Sequence, residues 1–179
     1  MVFPVSIRTP HLYVRELTQN DLMRFLQMSA DPDVIRYMTF SSTSEPEARA
    51  LIDFALASAN ASIRTEYVLA VEDGTLGYLI GSCGLSISKN EPMTVEAYFV
   101  FRKDVWGRGY GVEVLQALID FAFDLLCLTR VFGQAHPENY HSIVTMERAG
   151  MAYDGVGDNP HANAGETSDG VRFTILNRR

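Results

Sequence analysis

The sequence predicts a single domain over residues 1–179, of the α/β class in its α+β form, with about four helices packed on a central sheet of roughly six to seven strands. A length of 179 residues suits one domain with a full core. Short runs with strand-like composition and helical patterns follow one another in the order β-α-α-β-β-β-α-β-α-β-β. The contents of 47% hydrophobic and 21% charged residues are ordinary for a globular protein.

Caps, turns and periodicity set the expected boundaries of these elements. Thr18 is expected to cap the first helix, and Ser44 followed by Glu47 fits a capping box at the start of the second. Gly150 is expected to end the last helix. The first part of the chain is predicted to contain a strand at 11–17, a helix from 18 to 31, an apolar connection at 34–40, a helix from 44 to 59, and strands at 67–71, 76–87 and 94–101. A long helix from 112, a strand at 130–135 and a helix at 139–149 are predicted to follow. The last predicted elements are strands at 151–156 and 171–176 around a polar loop at 157–170.

The stretch from 94 to 126 organises the rest of the chain. Residues 94–101 are rich in β-branched and aromatic side chains, which suit a strand. Gly107, Gly109 and Gly111 then occupy alternate positions. From Val112 onward the polar residues fall on one narrow stripe, which predicts a long and mostly buried helix.

A glycine-rich turn at a helix start can bind a phosphate or pyrophosphate group. The first N–H groups of a helix have no partner within it, and the helix start carries about half a positive charge. Arg108 is expected to add a charged donor at the rim, whereas a turn that binds nothing is the alternative. A dinucleotide-binding fingerprint is disfavoured because Val112 stands where its third glycine belongs, and the P-loop pattern is absent.

Charge and cysteine content argue against several classes of protein. A net charge of −7 and a pI near 5.0 disfavour non-specific binding to nucleic acid. Cys83 and Cys127 make neither a disulfide framework nor a zinc spacing, and both are expected to be buried; no metal site is expected. No signal-peptide pattern and no membrane-spanning apolar run are found, so the chain is expected to be cytoplasmic.

Several short motifs occur in a consistent order along nearly the whole chain. WGRGYG at 106–111 is similar to the [QR]-x-x-G-x-[GA] acetyl-coenzyme A motif of the GNAT acetyltransferase superfamily, with Trp106 in place of Gln or Arg. That tryptophan resembles the branch of ribosomal-protein N-terminal acetyltransferases. The resemblance implies a mixed, mostly antiparallel sheet and an acetyl-coenzyme A-dependent N-acetyltransferase. The other segments that match the family are REL at 15–17, GYLIGSCGL at 77–85, VEAYFV at 95–100, N-x-x-S at 139–142 and AGM at 149–151.

The resemblance also implies how acetyl-coenzyme A, the expected cosubstrate, is bound. The strand through Val100 would pair with the pantetheine arm by the backbone of Phe99 and Phe101. Asn139 would hydrogen-bond the pantetheine. The pyrophosphate would be held by backbone N–H groups at the helix start, which comprises Arg108, Gly109, Tyr110, Gly111 and Val112.

An acceptor amine that arrives protonated needs a base. Glu96 is the first choice, because it interrupts an apolar strand before the glycine turn and desolvation there would raise its pKa; a half-exposed carboxylate with no role is the alternative. Many members of the family use a tyrosine as acid seven residues after the helix asparagine, but here that residue is Met146. Ser142 is the substitute that the branch suggests, and a purely structural place in the first helical turn is its alternative.

The acceptor is expected to be a primary amine on a protein N-terminus or a small molecule. Tyr37, Met38 and Phe40 are expected to contact it, unless they only pack. A non-catalytic acyl-coenzyme A-binding sensor or scaffold and a nucleotide-dependent enzyme are the alternative functions. Neither nucleic acid nor a membrane is an expected partner, and the chain is expected to be a monomer or a homodimer.

Overall fold

The computed structural model describes residues 4–38, 44–158 and 169–178. Within these ranges, eight strands form one sheet and the chain has five α-helices. The strands are β1 (Ser6–Arg8), β2 (Leu12–Glu16), β3 (Glu66–Asp73), β4 (Leu79–Ile87), β5 (Thr94–Phe101), β6 (Arg130–Ala135), β7 (Ala152–Asp158) and β8 (Asp169–Leu176). The helices are α1 (Leu22–Ser29), α2 (Pro32–Ile35), α3 (Glu45–Ala59), α4 (Tyr110–Asp120) and α5 (Tyr140–Arg148).

The sheet is antiparallel at every junction except one. Its strand order is β1-β2-β3-β4-β5-β6-β8-β7. β5 and β6 are parallel, and the crossover that a parallel pair requires contains α4. The predicted class, a mixed and mostly antiparallel sheet with helices packed on it, is confirmed. The predicted count of roughly six to seven strands is close to the eight found in the described part of the chain.

Two short elements differ from the expectation. β1 has only three residues, too few for alternation to reveal it. Part of the connection predicted at 34–40 is helical, because Pro32 suits the first turn of α2 and the side chain of Asp31 accepts a hydrogen bond from the N–H of Asp33 at 3.0 Å. Residues 39–43 and 159–168, which include the last two residues of that connection and most of the predicted polar loop, lie outside the described residues.

The long helix predicted from Val112 consists of two parts. α4 is regular to Asp120, and a π-helical turn follows at Phe121–Leu125. Cys127 then adopts a left-handed conformation with φ of 54° and is exposed, because the chain turns there to enter β6. The prediction that Cys127 is buried is therefore wrong. Cys83 is buried in β4, and burial raises the pKa of its thiol.

Helices cover both faces of the sheet. Ala97 and Phe101 of β5 belong to the larger core, which also contains the apolar side of α4; we call this side the α4 face. Val100 packs instead with residues of α1 and α3, on what we call the α1–α3 face. Because side chains alternate along a strand, Glu96 and Tyr98 lie on the α1–α3 face with Val100.

Polar contacts fasten the start of α4 to neighbouring segments. The carboxylate of Glu113 accepts hydrogen bonds from the hydroxyl of Thr9, from the N–H of His11 at 2.8 Å and from the ring Nδ1 of His11 at 2.9 Å. The hydroxyl of Tyr110 donates to Asp73 at 3.4 Å. Burial alone would raise the pKa of Glu113, but the hydrogen bonds from Thr9 and His11 outweigh burial and lower it.

Glu113→Gln is expected to lower the free energy of unfolding by about 1–2 kcal/mol at pH 7, because it replaces charge-assisted hydrogen bonds with weaker ones. Since folding depresses the pKa of Glu113, its contribution is present above the unfolded-state pKa and is lost as the pH falls through the folded-state pKa. Urea unfolding at pH 7 and near pH 3 should therefore show a smaller difference from wild type in acid. Glu147→Gln, at an exposed position of α5, is the control. A difference that is independent of pH would contradict the assignment.

Candidate active site

The site begins where β5 and β6 separate. The two strands pair only through residues 94–96 and 130–132, whereas β5 stays paired with β4 as far as Phe101. Beyond Glu96 a cleft of about 1300 Å³ opens between them. Its walls come from β5, β6, the start of α4, α5 and the segment that follows α2. One edge of β5 therefore faces a cavity instead of another strand.

The backbone of β5 directs alternate residues into this cleft. The N–H of Arg102 donates to the carbonyl of Ile80 in β4, so Ala97, Phe99 and Phe101 direct their N–H and C=O groups to the opposite edge. The indole Nε1 of Trp106 donates to the carbonyl of Phe101 at 2.9 Å. Phe99 consequently presents both backbone groups to the cleft, and Phe101 presents its N–H.

Val100 is placed differently from its two neighbours. It is paired in register with Ser82, and by the same alternation its backbone groups face β4. Its side chain is buried on the α1–α3 face and lines the cleft. Any contact between Val100 and a ligand would therefore be made by the side chain.

The glycine turn leaves the start of α4 open. Gly107 and Gly109 have φ of 76° and 83°, which glycine adopts without strain, and no heavy atom lies within 4 Å of a Cβ built on either. Gly109 caps α4 and offers no side chain, so the N–H groups of Tyr110, Gly111 and Val112 have no capping partner from it. Three adjacent N–H donors at a helix start form a site for an anion.

Arg108 does not reach this cleft. Its Nη2 donates to the carbonyl of Asp104 at 3.4 Å, and its side chain is exposed on the outer side of the turn. The cleft is lined instead by Trp106, Gly107 and Gly109. Arg108, which was expected to place a guanidinium at the rim, is therefore not part of the cleft lining, whereas Gly107 and Gly109 of the turn are.

Glu96 lies at the base of the cleft, at the last paired position before the strands separate. The side-chain Nε2 of Gln134 donates to its Oε1 at 3.2 Å. Ser86 lies opposite Glu96 on β4, but its hydroxyl donates to Glu66 at 2.8 Å. Glu96 is half-buried, so its carboxylate remains accessible from the cavity.

The first turn of α5 forms the other wall. Asn139 caps this helix, and its side-chain oxygen accepts a hydrogen bond from the N–H of Ser142 at 3.2 Å. Both residues line the cleft. Met146, at the position where a tyrosine acid was considered, is buried, and its sulfur is 2.8 Å from where a Cβ on Gly133 would lie. The structural role considered for Asn139 and Ser142 is therefore present.

The segment after α2 forms the far wall. Tyr37 and Met38, the residues expected to contact an acceptor, both line the cleft. The ring of Tyr37 lies 5.2 Å from that of His136, and the guanidinium of Arg36 lies over it at 5.1 Å. Phe40, the third residue expected here, lies outside the described residues.

Two residues at this site were not singled out from the sequence. Trp106 was noted only as a departure from a motif, and its bond to the Phe101 carbonyl requires a turn that no spacing reveals. Gln134 had a usable signal, because it is a polar residue within the apolar part of the strand RVFGQA, after Val131, Phe132 and Gly133. In the described ranges there is no group of three or more His, Cys, Asp or Glu side chains that could hold a metal ion. No helix there is long and apolar enough to span a bilayer.

An open strand edge, the first N–H groups of a helix and a carboxylate thus lie around one cleft. Residues 11–152 match the family model described as "Acetyltransferase (GNAT) domain". The chain therefore belongs to the GNAT acetyltransferase family, and it is an acetyl-coenzyme A-dependent acetyltransferase. The resemblance found in the sequence is confirmed.

Proteins of known sequence or structure resemble the chain over nearly its whole length. An uncharacterised N-acetyltransferase, p20 of Bacillus licheniformis, is 25% identical over 97% of each chain. A candidate ribosomal-protein-serine acetyltransferase from Vibrio cholerae has a TM-score of 0.76 at 23% identity, covering 97% of this chain and 98% of its own. Spermidine N-acetyltransferase from Vibrio cholerae, solved with CoA and spermine, has a TM-score of 0.78 at 21% identity, covering 94% and 96%. At such identities the two structures establish the fold.

Gly109→Ala is expected to weaken coenzyme A binding by about tenfold or more, because a Cβ at a φ of 83° is strained by about 1–2 kcal/mol and protrudes in front of the helix start. Trp106, the single tryptophan, lines the cleft, so its fluorescence should report binding. Gly155→Ala on β7 is the matched control, with φ of 95° and open space around the added Cβ. Equal affinity losses in the two variants would show that strain, and not the helix start, governs binding.

Proposed function

We propose that this chain transfers the acetyl group of acetyl-coenzyme A to a primary amine, and that Glu96 is the general base. The position of Glu96 carries the proposal, because its carboxylate lies where β5 and β6 separate, between the open edge of β5 and the segment after α2. Membership of the GNAT family supports the donor. The similar spermidine N-acetyltransferase binds CoA together with an amine, which supports an amine acceptor.

The donor would bind along β5 and at the start of α4. Its amide-rich pantetheine arm can pair with the backbone of Phe99 and with the N–H of Phe101, as an added strand would. The side-chain oxygen of Asn139 already caps α5, so its NH₂ group is the part that can donate to the pantetheine. The diphosphate fits the N–H groups of Tyr110, Gly111 and Val112.

The acceptor would approach from the other face of the sheet. The start of α4 belongs to the α4 face, whereas Glu96 lies on the α1–α3 face. Both line the same cleft because the strands separate there. The thioester and the amine can therefore meet in the gap between β5 and β6, with Tyr37 and Met38 forming the acceptor side.

The reaction begins when Glu96 accepts a proton from the ammonium group, directly or through a water molecule. The neutral nitrogen attacks the thioester carbonyl carbon, a C–N bond forms, and the oxygen becomes negatively charged. Backbone N–H groups on the open edge of β5 are suited to stabilise that oxygen. The carbonyl then re-forms as the C–S bond breaks, the nitrogen loses its second proton to give the neutral amide, and the thiolate takes up a proton. The proton held by Glu96 returns to solvent.

Ser142 is our candidate for the donor of the proton that the thiolate takes up. It lies in the first turn of α5 and lines the cleft, whereas Met146 is buried and has no proton to give. Its N–H is committed to Asn139, and its hydroxyl is the group available for chemistry. Because a thiol has a pKa of about 8.5, the thiolate needs less help than the amine does.

Glu96→Gln is expected to lower kcat by about a hundredfold to ten-thousandfold, since general bases contribute on this scale. Its affinity for coenzyme A, read by Trp106 fluorescence, should stay near that of wild type. Thiol release with a panel of polyamines, amino acids, aminoglycosides and N-terminal peptides measures turnover and identifies the acceptor class. Glu147→Gln, an exposed glutamate of α5, is the control for loss of one negative charge. Wild-type turnover in Glu96→Gln would remove Glu96 from the mechanism.

The same panel tests the main alternative. The buried Met146, at the position that supplies the acid in many family members, leaves open an acyl-coenzyme A sensor without catalysis. Such a protein would bind coenzyme A tightly and release no thiol with any amine. Binding of ATP or NAD in place of coenzyme A would instead favour a nucleotide-dependent enzyme.

Ser142→Ala is expected to reduce kcat by about tenfold or less, because protonating a good leaving group is a modest demand. The loss should shrink with an acetyl thioester of a more acidic thiol, which needs no proton in order to leave. Ser62→Ala, at an exposed site after α3, is the control. A loss that is the same for both thioesters would assign Ser142 a structural role.

A further inference from the structure

We propose that Gln134 is a positioning residue for this reaction, which fixes the orientation of the Glu96 carboxylate toward the acceptor. The inference rests on the proposed function, in which Glu96 is the base. In the proposed mechanism, Gln134 contacts neither acetyl-coenzyme A nor the amine and acts only through Glu96.

The bond between the two residues bridges strands that no longer pair. Glu96 is in register with Phe132, the last partner before β5 and β6 separate. Gln134 lies two residues further along β6, on the same face, and its Nε2 reaches back to Glu96 Oε1 at 3.2 Å. Both side chains line the cleft, so the bond lies at its base.

The orientation of the Gln134 amide is determined by its surroundings. An ionised carboxylate only accepts hydrogen bonds, so the NH₂ end of the amide must face Glu96. The other end, Oε1, then lies against β7, where a Cβ on Gly157 would be 2.5 Å away. The amide has room because residue 157 is glycine. Three strands thus hold one side chain in place.

Among the described residues, three ionisable side chains near this pair make hydrogen bonds to other partners. Glu66 accepts from Ser86 on the β4 side of Glu96. Tyr98, next on the same face of β5, donates to the backbone carbonyl of Tyr67 at 3.3 Å. Arg172, opposite Gln134 on β8, donates to Glu91 at 3.0 Å.

A neutral donor suits a base better than a cation such as Arg172 would. Arg172 in contact with Glu96 would stabilise the carboxylate strongly and lower its affinity for a proton. The amide of Gln134 gives direction to the carboxylate through one hydrogen bond and adds no charge. It therefore fixes the geometry of Glu96 with a smaller effect on its basicity.

The test compares Gln134→Met, which keeps the length of the side chain and removes the donor, with wild type. We expect kcat with the best amine of the panel to fall by about tenfold to a hundredfold. The affinity for coenzyme A, measured by Trp106 fluorescence, should not change. The acidic limb of the kcat/KM profile should move to higher pH, because a hydrogen bond that favoured the charged form is lost. Gln116→Met, at an exposed position of α4, is the control. Gly157→Ala retains residue Gln134 but pushes its side-chain amide away from Glu96. This variant should show the same shift of the acidic limb to higher pH.

A double-mutant cycle separates this inference from the proposed function. In the Glu96→Gln background, Gln134→Met should cost less than threefold, since its partner no longer acts as base. If Glu96→Gln slows turnover and Gln134→Met adds its full loss to it, or leaves the pH profile unmoved, Gln134 is not a positioning residue and the proposed function stands. If Glu96→Gln is as active as wild type, the proposed base fails and this inference fails with it. Thermal unfolding of each variant verifies that all of them are folded.

Discussion

The separation of β5 from β6 after Glu96 is the constraint on which the site depends. Backbone N–H and C=O groups require partners, and a strand that loses its neighbour within a sheet presents its free edge to whatever fills the gap. β5 keeps β4 on one side and faces the cleft on the other. The fold thereby supplies a rigid row of donors and acceptors without a mobile loop. Trp106 limits that row, because its indole already occupies the carbonyl of Phe101.

The same separation brings the two faces of the sheet into contact. In a continuous sheet, a ligand at the start of α4 and a carboxylate on the α1–α3 face would be divided by the sheet itself. Here the crossover that makes β5 and β6 parallel also places the start of α4 beside the gap. Donor and acceptor can then approach from opposite sides, and each side can be shaped independently.

Much of this arrangement follows from the sequence, and some of it does not. The bounds of β5 and β6 match the predicted 94–101 and 130–135, because both strands are mostly apolar and are followed by charged residues or by His-Pro. Glu96 was recognisable as a carboxylate in an apolar strand. The separation of the two strands was not recognisable from the sequence, because side chains alternate in the same way in the paired and unpaired parts of β5. The direction of Arg108 and the exposure of Cys127 depend on local backbone angles that residue types do not specify.

The burial of Met146 in α5 bears on which of the two proton transfers, at the acid or at the base, needs more support from the protein. Met146 packs so closely on Gly133 that even a Cβ there would lie within 2.8 Å of its sulfur, so α5 approaches β6 at this point. Where many members of the family have a tyrosine hydroxyl, this chain therefore has a side chain that packs in the core. Such a loss is tolerable at the acid, because the thiolate is a weak base, and would be serious at the base, because an ammonium group cannot attack. The hydrogen bonds in the cleft fit this order under the proposed mechanism. Gln134 donates to the carboxylate of Glu96 across the separated strands, whereas Ser142 lies in a helical turn where its N–H bonds to the Asn139 cap.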